Sequence, residues 1–431
     1  MKIGLAFPEI GAHTREDFVH EIRQAETELD LLVFPERFEI VRLPAEAEPG
    51  YIADRPPLVA LRSNYRRTAE TLGLSIIVGV SVAYEDILVR SKADMDQYCL
   101  FVDGKGQSVL YHKHSTSKFN AFFDQRWSIE RNFPVIEVDG AQVGLSVCHD
   151  SYISLIPRVL REKGAGIWVN ISHQNVPRRK WEGVLQARAA ENSMLSVCTL
   201  HRDEGSRNRQ KEPYAFSPEG KIRLKHLRTE VGLDDIEISA RTGKVFYFDT
   251  NRYDLYPAPG LKEGKLPEKA KRLSLQPGGK HGIALQPDDG NFTIERLEVE
   301  DFISSPERIW KLALKSRQSV PIFVISLDDN AWEEHHRRIE QVAYARVVEF
   351  STAFIFLNAA HAEVFMGAYQ SSNYKYPRFF FRHKLPIHID RRYLRGLRST
   401  YDISSDDGRG RSKTLYFSRI NKMIQFLEQA H

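Results

Sequence analysis

Buried strands and amphipathic helices alternate along the first 250 residues, and this order restricts the possible folds more than any other feature of the sequence. Short, continuous apolar runs such as 30–35 and 74–82 are typical of strands that are covered on both faces. Segments 16–29 and 57–73 instead have the spacing of amphipathic helices. The alternation predicts a layered α/β domain that ends near residue 250.

One of the predicted strands ends at a cysteine. In segment 142–150, Val143, Leu145 and Val147 alternate as in a half-buried strand, and Cys148 follows them directly. A thiol at the end of a strand, where the chain changes direction, is well placed to be both rigid and accessible. A free cysteine is nevertheless more often a small core residue. The strand alone therefore does not decide between a structural and a reactive Cys148.

Composition indicates an ordinary globular protein. The formal charge of the 431-residue chain is only +4, and this charge does not by itself indicate a polyanionic partner. Mean hydropathy is −0.41, and no apolar run approaches the roughly 20 residues that a membrane helix needs. Three cysteines form no disulfide framework, and charged residues interrupt the amino-terminal segment too early for a signal peptide. These features predict a cytoplasmic location and no membrane contact.

The second half of the chain is predicted to form a separate region. Residues 251–290 are rich in proline, glycine and lysine, and they read as a linker or an irregular excursion. Residues 291–431 again show α/β patterning, with strands at 320–327 and 353–357 on either side of a helix at 332–349. The sequence therefore predicts a domain at 1–250, the linker, and a smaller α/β region at 291–431.

The two halves share a short internal similarity. Segment 184–193 resembles segment 342–351, and each predicted helix stands between two apolar strands. Upstream, segment 299–307 falls where the cysteine segment would lie, with Glu300 or Asp301 in place of a thiol. Two similar amphipathic helices can arise by chance, so two readings stay open: coincidence, or a degenerate partial copy without the nucleophile.

Three chain reversals that follow predicted strands carry reactive groups, namely Glu36, Lys113 and Cys148. Strand carboxyl ends converge at one edge of an α/β sheet, where sites are built. A carboxylate, an amine and a thiol gathered there suit acyl transfer, with the thiolate attacking, the carboxylate moving protons and the ammonium stabilising the oxyanion. Taken alone, Glu36 could equally be a solvated charge at the end of a strand, and Lys113 could belong to a basic cluster on the surface.

Five short motifs make a resemblance to a known family specific. They are Phe34-Pro35-Glu36, Tyr111-His112-Lys113, the strand Val143 to Cys148 with His149-Asp150, the helix Arg188 to Asn192, and the turn Ser217-Pro218-Glu219-Gly220. In this order and spacing, residues 1 to about 250 resemble the carbon–nitrogen hydrolase (nitrilase) superfamily.

The resemblance implies a four-layer αββα sandwich and a Glu-Lys-Cys triad. Glu36 would be the general base, Lys113 the oxyanion partner and Cys148 the nucleophile that forms a thioester with a small-molecule amide, nitrile or carbamoyl compound. It implies no metal and no organic cofactor. It also implies a homodimer or a larger assembly, although the additional C-terminal half could block or replace the usual interface.

Further residues are expected to support this triad. The backbone N–H of His149 would complete an oxyanion hole, and Asp150, Arg188 and Glu191 would be supports around the triad. Many family members carry a second glutamate between the lysine and the cysteine, where this chain has Gln125. A glutamine keeps hydrogen bonding but loses the negative charge that helps hold Lys113 as an ammonium. Two nearby acids could substitute for it, Asp124 or Glu130.

A second hypothesis comes from a different class of protein. The N-terminal domain would be a weakened enzyme or a sensor, and the C-terminal half would bind a protein or a nucleic acid. Segment 374–398 interleaves aromatic and cationic residues, which suits such a surface and equally suits an edge strand with a solvated helix face. Thiol reactivity separates the two hypotheses, because a working site is expected to have a depressed Cys148 pKa.

Overall fold

The computed structural model describes most of the chain in two compact units. One unit comprises residues 1–182 and 193–247, and the other comprises 183–192 and 248–431. The residues described are 1–9, 11–24, 28–44, 52–84, 96–115, 132–173, 178–201, 213–218, 220–222, 225–227, 233–237, 272–278, 282–286, 292–316, 319–327, 331–350, 352–357, 362–368, 379–384, 387–390 and 411–430. No helix within these residues is long and apolar enough to cross a membrane.

The first unit contains two sheets. The eight-stranded sheet has the order β13-β14-β1-β2-β4-β5-β6, and β3 pairs with β4 beside this path. Strands β1, β2 and β4 are parallel, whereas β4, β5 and β6 form an antiparallel meander. Its strands are β1 Lys2–Ala6, β2 Leu31–Val33, β3 Glu39–Leu43, β4 Ser75–Tyr84, β5 Asp96–Val102, β6 Ser108–His112, β13 Lys225–Leu227 and β14 Leu233–Glu237.

The second sheet has six strands in the order β12-β11-β10-β9-β8-β7. Strands β8, β9 and β10 are parallel, and the outer strands pair with them antiparallel. The strands are β7 Val135–Val138, β8 Ala141–Val147, β9 Ile167–Ile171, β10 Leu195–Thr199, β11 Tyr214–Ser217 and β12 Gly220–Ile222. The predicted cysteine strand is thus a central strand of this sheet.

The two sheets pack face to face. One apolar cluster draws on both of them, with Ile3, Leu5 and Val33 from the first and Val143 and Leu145 from the second. Side chains alternate along a strand, so the other face of the first sheet buries a second cluster against helices α1 Arg15–Gln24 and α2 Pro56–Leu72. Helix α3 Leu155–Glu162 packs on β8 of the second sheet. The predicted αββα sandwich is confirmed.

Helix α4 Arg178–Asn192 follows β9 and leads into β10. Its last ten residues group with the second compact unit. That unit also contains α5 Val299–Ser304, α6 Pro306–Lys315, α7 Ala331–Phe350 and α8 Arg411–Ala430. Helix α1 Arg15–Gln24 covers most of the helix predicted at 16–29, and residues 25–27 of that prediction lie outside the described parts of the chain.

The second unit contains two further sheets. One has five strands in the order β17-β18-β19-β20-β21, and the other has three in the order β16-β15-β22. The strands are β15 Arg272–Gly278, β16 Gly282–Gln286, β17 Phe292–Glu298, β18 Val320–Ser326, β19 Phe354–Leu357, β20 Ala362–Ala368, β21 Phe379–Lys384 and β22 Ile387–Asp390.

Two segments with an expected role are only partly described. The stretch 251–290, predicted to be a linker or an irregular excursion, contains the antiparallel hairpin β15-β16. Proline and glycine within it obscured the strand pattern. Segment 374–398 contributes strands β21 and β22, and its other residues lie outside the described parts of the chain. Its predicted role as a partner surface stays a prediction.

Candidate active site

Glu36 lies in a sharp turn directly after β2. Pro35 and Glu36 are buried, and Arg37 adopts the left-handed conformation with φ 68°. The turn lies tightly against Gly79 of β4, because a Cβ at Gly79 would be 2.5 Å from the Glu36 Cα and would also overlap the Pro35 carbonyl oxygen. A glycine inside a strand often marks such a close backbone approach. Gly79 therefore allows the Glu36 turn to seat against the sheet.

Lys113 follows the last residue of β6. Its backbone N–H donates to the Gln97 carbonyl at 3.0 Å, which extends the β5-β6 ladder up to this position. Its Nζ donates to Oε1 of Glu36 at 2.9 Å, and the two side chains are only 12% and 5% exposed. Two residues that are 77 positions apart in sequence are therefore paired at the carboxyl ends of β2 and β6.

Cys148 follows the last residue of β8 and begins a 3-10 helix, Cys148–Tyr152. Its φ of 48° lies in the left-handed region, where non-glycine residues are uncommon and often belong to functional sites. The thiol is half-buried, and its Sγ lies 4.0 Å from the carbonyl oxygen of His173. The chain changes direction at the cysteine, as predicted, and Cys148 is therefore not part of the strand pairing of β8.

Glu36 connects these three strand ends. Its Oε1 accepts from Lys113, and its Oε2 accepts from the backbone N–H of His173 at 2.9 Å. The Cys148 Sγ lies near the carbonyl oxygen of the same His173, close enough for the charges of Glu36 and Lys113 to act on the pKa of the thiol in addition to burial. A ring nitrogen of His201 lies 2.8 Å from the Glu36 carbonyl oxygen. The structure thus brings together all three residues of the predicted triad.

Burial and neighbouring charge set the protonation of Lys113. Burial alone would lower the pKa of its amine, but the negative charges of Glu36 and Asp150 and the hydrogen bond to Glu36 outweigh that effect and raise the pKa above its usual range. Lys113 is consequently an ammonium at neutral pH. This is the state that stabilises a developing oxyanion.

The Cys148 thiol is protonated at rest. Burial raises its pKa well above the usual range, the Glu36 carboxylate raises it further, and Lys113 only partly opposes them. The pKa is not depressed, as was expected of a working site, because one buried ammonium does not offset desolvation and an adjacent carboxylate. The resting residue is therefore a protonated thiol, and any attack by Cys148 requires a base to take its proton.

Asp150 ties the lysine and cysteine segments together. Its Oδ2 accepts from the Tyr111 hydroxyl at 2.6 Å and the Val147 N–H at 3.1 Å, and its Oδ1 accepts from the Ser115 N–H at 2.6 Å. Burial alone would raise the pKa of Asp150, but His114, Lys113 and these hydrogen bonds lower it. A fully buried carboxylate thus fixes the residues on either side of Lys113 relative to the strand that ends at Cys148.

We expect Asp150→Asn to lower the thermal unfolding midpoint at pH 7, because it leaves buried donors poorly matched at a cost of about 1–3 kcal/mol. The wild-type carboxylate stabilises the fold above its unfolded pKa of about 4, and the contribution is lost as pH falls through the lower folded pKa. The difference between variant and wild type should therefore shrink in acid. Calorimetry from pH 7 to 3 measures it, with exposed Glu137→Gln as the control. A difference that grows in acid would contradict this assignment.

The other predicted residues lie in different places. The N–H of His149 belongs to the first turn of the 3-10 helix after Cys148, and the His149 ring packs 5.0 Å from that of Tyr152. Arg188 and Glu191 belong to the second compact unit, where they pair with Arg346 and Glu349 of α7. Their direct contacts thus support that helix pair, and a role around the triad stays a prediction for them.

Gln125, with its alternatives Asp124 and Glu130, lies outside the described residues. The predicted loss of a second glutamate is therefore untested. Cys99 and Cys198 are both fully buried, as expected for core cysteines.

Three residues of the site were missed by sequence reasoning. His173 supplies a backbone donor to Glu36, His201 lies against the Glu36 carbonyl, and Gly79 leaves space for the turn. An isolated glycine within the apolar strand pattern was a readable signal for Gly79. The histidines follow β9 and β10 at the same sheet edge, but no local pattern marks His173, which acts through its backbone N–H, or His201, whose ring contacts a carbonyl of a distant turn.

Comparison with known proteins gives a family match. The carbon–nitrogen hydrolase family model matches residues 9–226, which is just over half of the chain. No curated protein matches the chain.

Several solved structures are similar to part of the chain. An amidase from Nesterenkonia sp. is 19% identical with a TM-score of 0.41, over 55% of this chain and 90% of that chain. A cysteine-to-alanine mutant of the Nesterenkonia AN1 amidase, described as a nitrilase-superfamily member, is 19% identical with a TM-score of 0.41, over 56% and 92%.

Proposed function

We propose, because the chain belongs to the carbon–nitrogen hydrolase family, that it hydrolyses a non-peptide amide or carbamoyl C–N bond of a small molecule through a thioester at Cys148. The observation that carries the proposal is the position of Glu36. One of its oxygens accepts from Lys113, and the other accepts from the N–H of His173, whose carbonyl oxygen lies 4.0 Å from the Cys148 Sγ. A base, a cation and a nucleophile thus lie together at one site.

Acylation begins with proton transfer from the thiol. The raised pKa of Cys148 keeps the resting thiol protonated, so Glu36 accepts the S–H proton while Sγ attacks the substrate carbonyl carbon. A C–S bond forms, and the carbonyl oxygen becomes negative. The Lys113 ammonium and the backbone N–H of His149 stabilise that charge.

The C–N bond then breaks. Glu36 returns its proton to the leaving nitrogen, ammonia or an amine departs, and the acyl group remains on Cys148 as a thioester. Water next attacks the thioester while Glu36 accepts one of its protons. The C–S bond breaks, Glu36 reprotonates the sulfur, and a carboxylic or carbamic acid leaves. One carboxylate thus serves each proton transfer in turn.

Substrate turnover tests the proposal directly. We expect the wild-type protein to release ammonia or amine from at least one member of a panel of small amides and carbamoyl compounds. Cys148→Ala should abolish release, whereas Cys198→Ala, which removes a buried thiol from strand β10 of the same sheet, should retain it. Release that survives Cys148→Ala would overturn the mechanism, and a panel without any product would remove support for an active hydrolase.

A second candidate rests on the raised pKa of the same thiol. A cysteine that is protonated at rest and half-buried also suits a weakened, sensor-like member of the family, whose C-terminal half binds a protein or nucleic acid. Absence of turnover together with salt-dependent nucleic-acid binding would favour this candidate. For the leading candidate, we also propose that the protein acts in the cytoplasm on a small molecule and that it assembles as a homodimer.

A further inference from the structure

Helices α4 and α7 share a sequence pattern and contact each other. Each carries an arginine and a glutamate three residues apart, Arg188 with Glu191 and Arg346 with Glu349. The four side chains are fully buried and make four ion pairs. Two of the pairs lie within the helices, at 2.7 Å in α4 and 3.3 Å in α7.

The other two pairs join the helices and are reciprocal. Arg188 reaches Glu349 at 3.0 Å, and Arg346 reaches Glu191 at 2.9 Å. The arginine of each helix thus contacts the glutamate of the other. This is the pattern of a two-fold, self-complementary interface, in which residue i contacts residue j and residue j contacts residue i. In homodimers the two sides come from two copies of one chain, but here they come from a single chain.

Further contacts give the direction of the pair. The Tyr344 ring lies where a Cβ on Gly183 would be, and the Arg338 guanidinium donates to the Ala190 carbonyl at 3.1 Å. Gly183, near the start of α4, contacts Tyr344, whereas Ala190, near its end, contacts the earlier residue Arg338. The two helices therefore run antiparallel. A two-fold axis perpendicular to two equivalent helices that pack side by side produces this direction.

The elements around each helix follow the same order. The earlier series is β8-α3-β9-α4-β10-β11-β12, and the later one is β17-α5-α6-β18-α7-β19-β20-β21, in which the short α5 stands where the earlier series has the 3-10 helix after β8. In both series the first three strands are parallel neighbours and the last two pair antiparallel. Chance similarity of two helices does not produce the same sheet order and the same strand directions.

Strand register extends the equivalence to single residues. If Arg188 corresponds to Arg346, then Val197 corresponds to Ile355, and their ladder partners Val169 and Val324 correspond as well. All four are buried. Val169 and Val197 lie in the apolar cluster of the six-stranded sheet, and Val324 and Ile355 lie in that of the five-stranded sheet. A slip of one residue would move these side chains to the opposite face. The inner strands β9 and β10 of the one sheet and β18 and β19 of the other therefore place corresponding residues in an apolar cluster.

The same register identifies the residue at the nucleophile position. Because Val169 corresponds to Val324, the preceding residues Trp168 and Phe323 correspond too. The ladders place Gly144 opposite Trp168 and Glu295 opposite Phe323, so Gly144 corresponds to Glu295. Four residues later in each series, Cys148 corresponds to Val299. The expectation of Glu300 or Asp301 at this position was wrong, because it was read without the ladder. Val299 is buried and carries no nucleophilic group.

We infer that the C-terminal region repeats the second half of the catalytic domain without its nucleophile, and that its helix α7 is the intramolecular partner of α4. The chain supplies from its own second half the helix that a second copy would supply in a two-fold dimer. The α4 face is consequently occupied, and a homodimer of this protein has to use another surface.

Charge reversal on each helix tests the inference in the full-length chain. Reversing α4 alone (Arg188→Glu with Glu191→Arg) or α7 alone (Arg346→Glu with Glu349→Arg) places like charges together in a buried site. We expect each to lower the unfolding midpoint by on the order of 10 °C or to prevent folding. All four substitutions in one chain restore opposite charges and should restore the midpoint. Reversal of the exposed pair Arg66–Glu70 is the matched control, with no expected effect.

Co-expression separates a pair within one chain from a pair between chains. If the helices paired between two chains, an α4-reversed chain and an α7-reversed chain would rescue each other in a mixed dimer. We expect no such rescue and no mixed dimer through these helices. Rescue in trans, failure of the four-fold variant to recover, or wild-type behaviour of both double variants would each overturn the inference. None of these readouts depends on hydrolysis, so they are independent of the proposed function.

Discussion

Glu36→Gln is expected to lower the hydrolytic rate constant by roughly 10²–10⁴-fold, which is the usual contribution of a positioned general base. The glutamine keeps a side-chain oxygen toward Lys113 but cannot accept the Cys148 proton. Since Cys148 is a protonated thiol at rest, loss of the base acts on the bond-forming step itself. Steady-state kinetics with the substrate found in the panel measure this, and Glu39→Gln, on the neighbouring strand β3, is the control.

The same substitution should change alkylation of Cys148 in the opposite direction. Beyond the effect of burial, the negative charge of Glu36 raises the pKa of the thiol, so its removal lowers that pKa. The onset of reaction with iodoacetamide should therefore shift to lower pH in Glu36→Gln while hydrolysis falls. Reduced alkylation at every pH would indicate a collapsed site and would contradict the assignment of Glu36 as a base beside an intact nucleophile.

Gly79→Ala is expected to produce the second large effect. Its Cβ would meet backbone atoms of Pro35, Glu36 and Arg37, and backbone cannot rotate away as a side chain can. The turn must shift, and a displacement of about 1 Å at a catalytic group can cost on the order of 100-fold in rate. We expect kcat to fall by at least that factor in protein that is still folded, as measured well below the unfolding midpoint.

Gly144→Ala is the matched control for this change. It lies in β8, and its Cβ would meet the Leu160 and Ala165 side chains at 3.1–3.2 Å, where Leu160 can adjust. We expect a modest loss of stability and a nearly unchanged kcat. Equal losses of kcat in both variants would mean that the effect of Gly79→Ala is general destabilisation rather than displacement of Glu36.

The sequence was informative where local pattern and strand ends coincide. The alternation of Val143, Leu145 and Val147 gives both the strand and its buried face, and Glu36, Lys113 and Cys148 each follow a strand end. Parallel strands bring their carboxyl ends to one edge, so the contact of Glu36 with Lys113 follows from topology. The motif order then supplied the family.

The remainder depended on tertiary contacts. The pKa of Cys148 could not be read from residue types, because desolvation at the end of β8 exceeds the effect of a neighbouring ammonium. Arg188 and Glu191 were assigned to the triad by their motif, but their charge partners lie on a helix more than 150 residues later. Only the ladder register showed that Val299, and not an acid, corresponds to the nucleophile.

Intact-protein mass spectrometry after incubation with the amide and carbamoyl panel tests the central claim most directly. We predict a mass increase equal to one acyl group, absent in Cys148→Ala and longer-lived in Glu36→Gln, because deacylation needs the same carboxylate to activate water. Peptide mapping should place the group on Cys148. No adduct on any variant, together with slow alkylation of Cys148 at every pH, would contradict thioester catalysis by this chain.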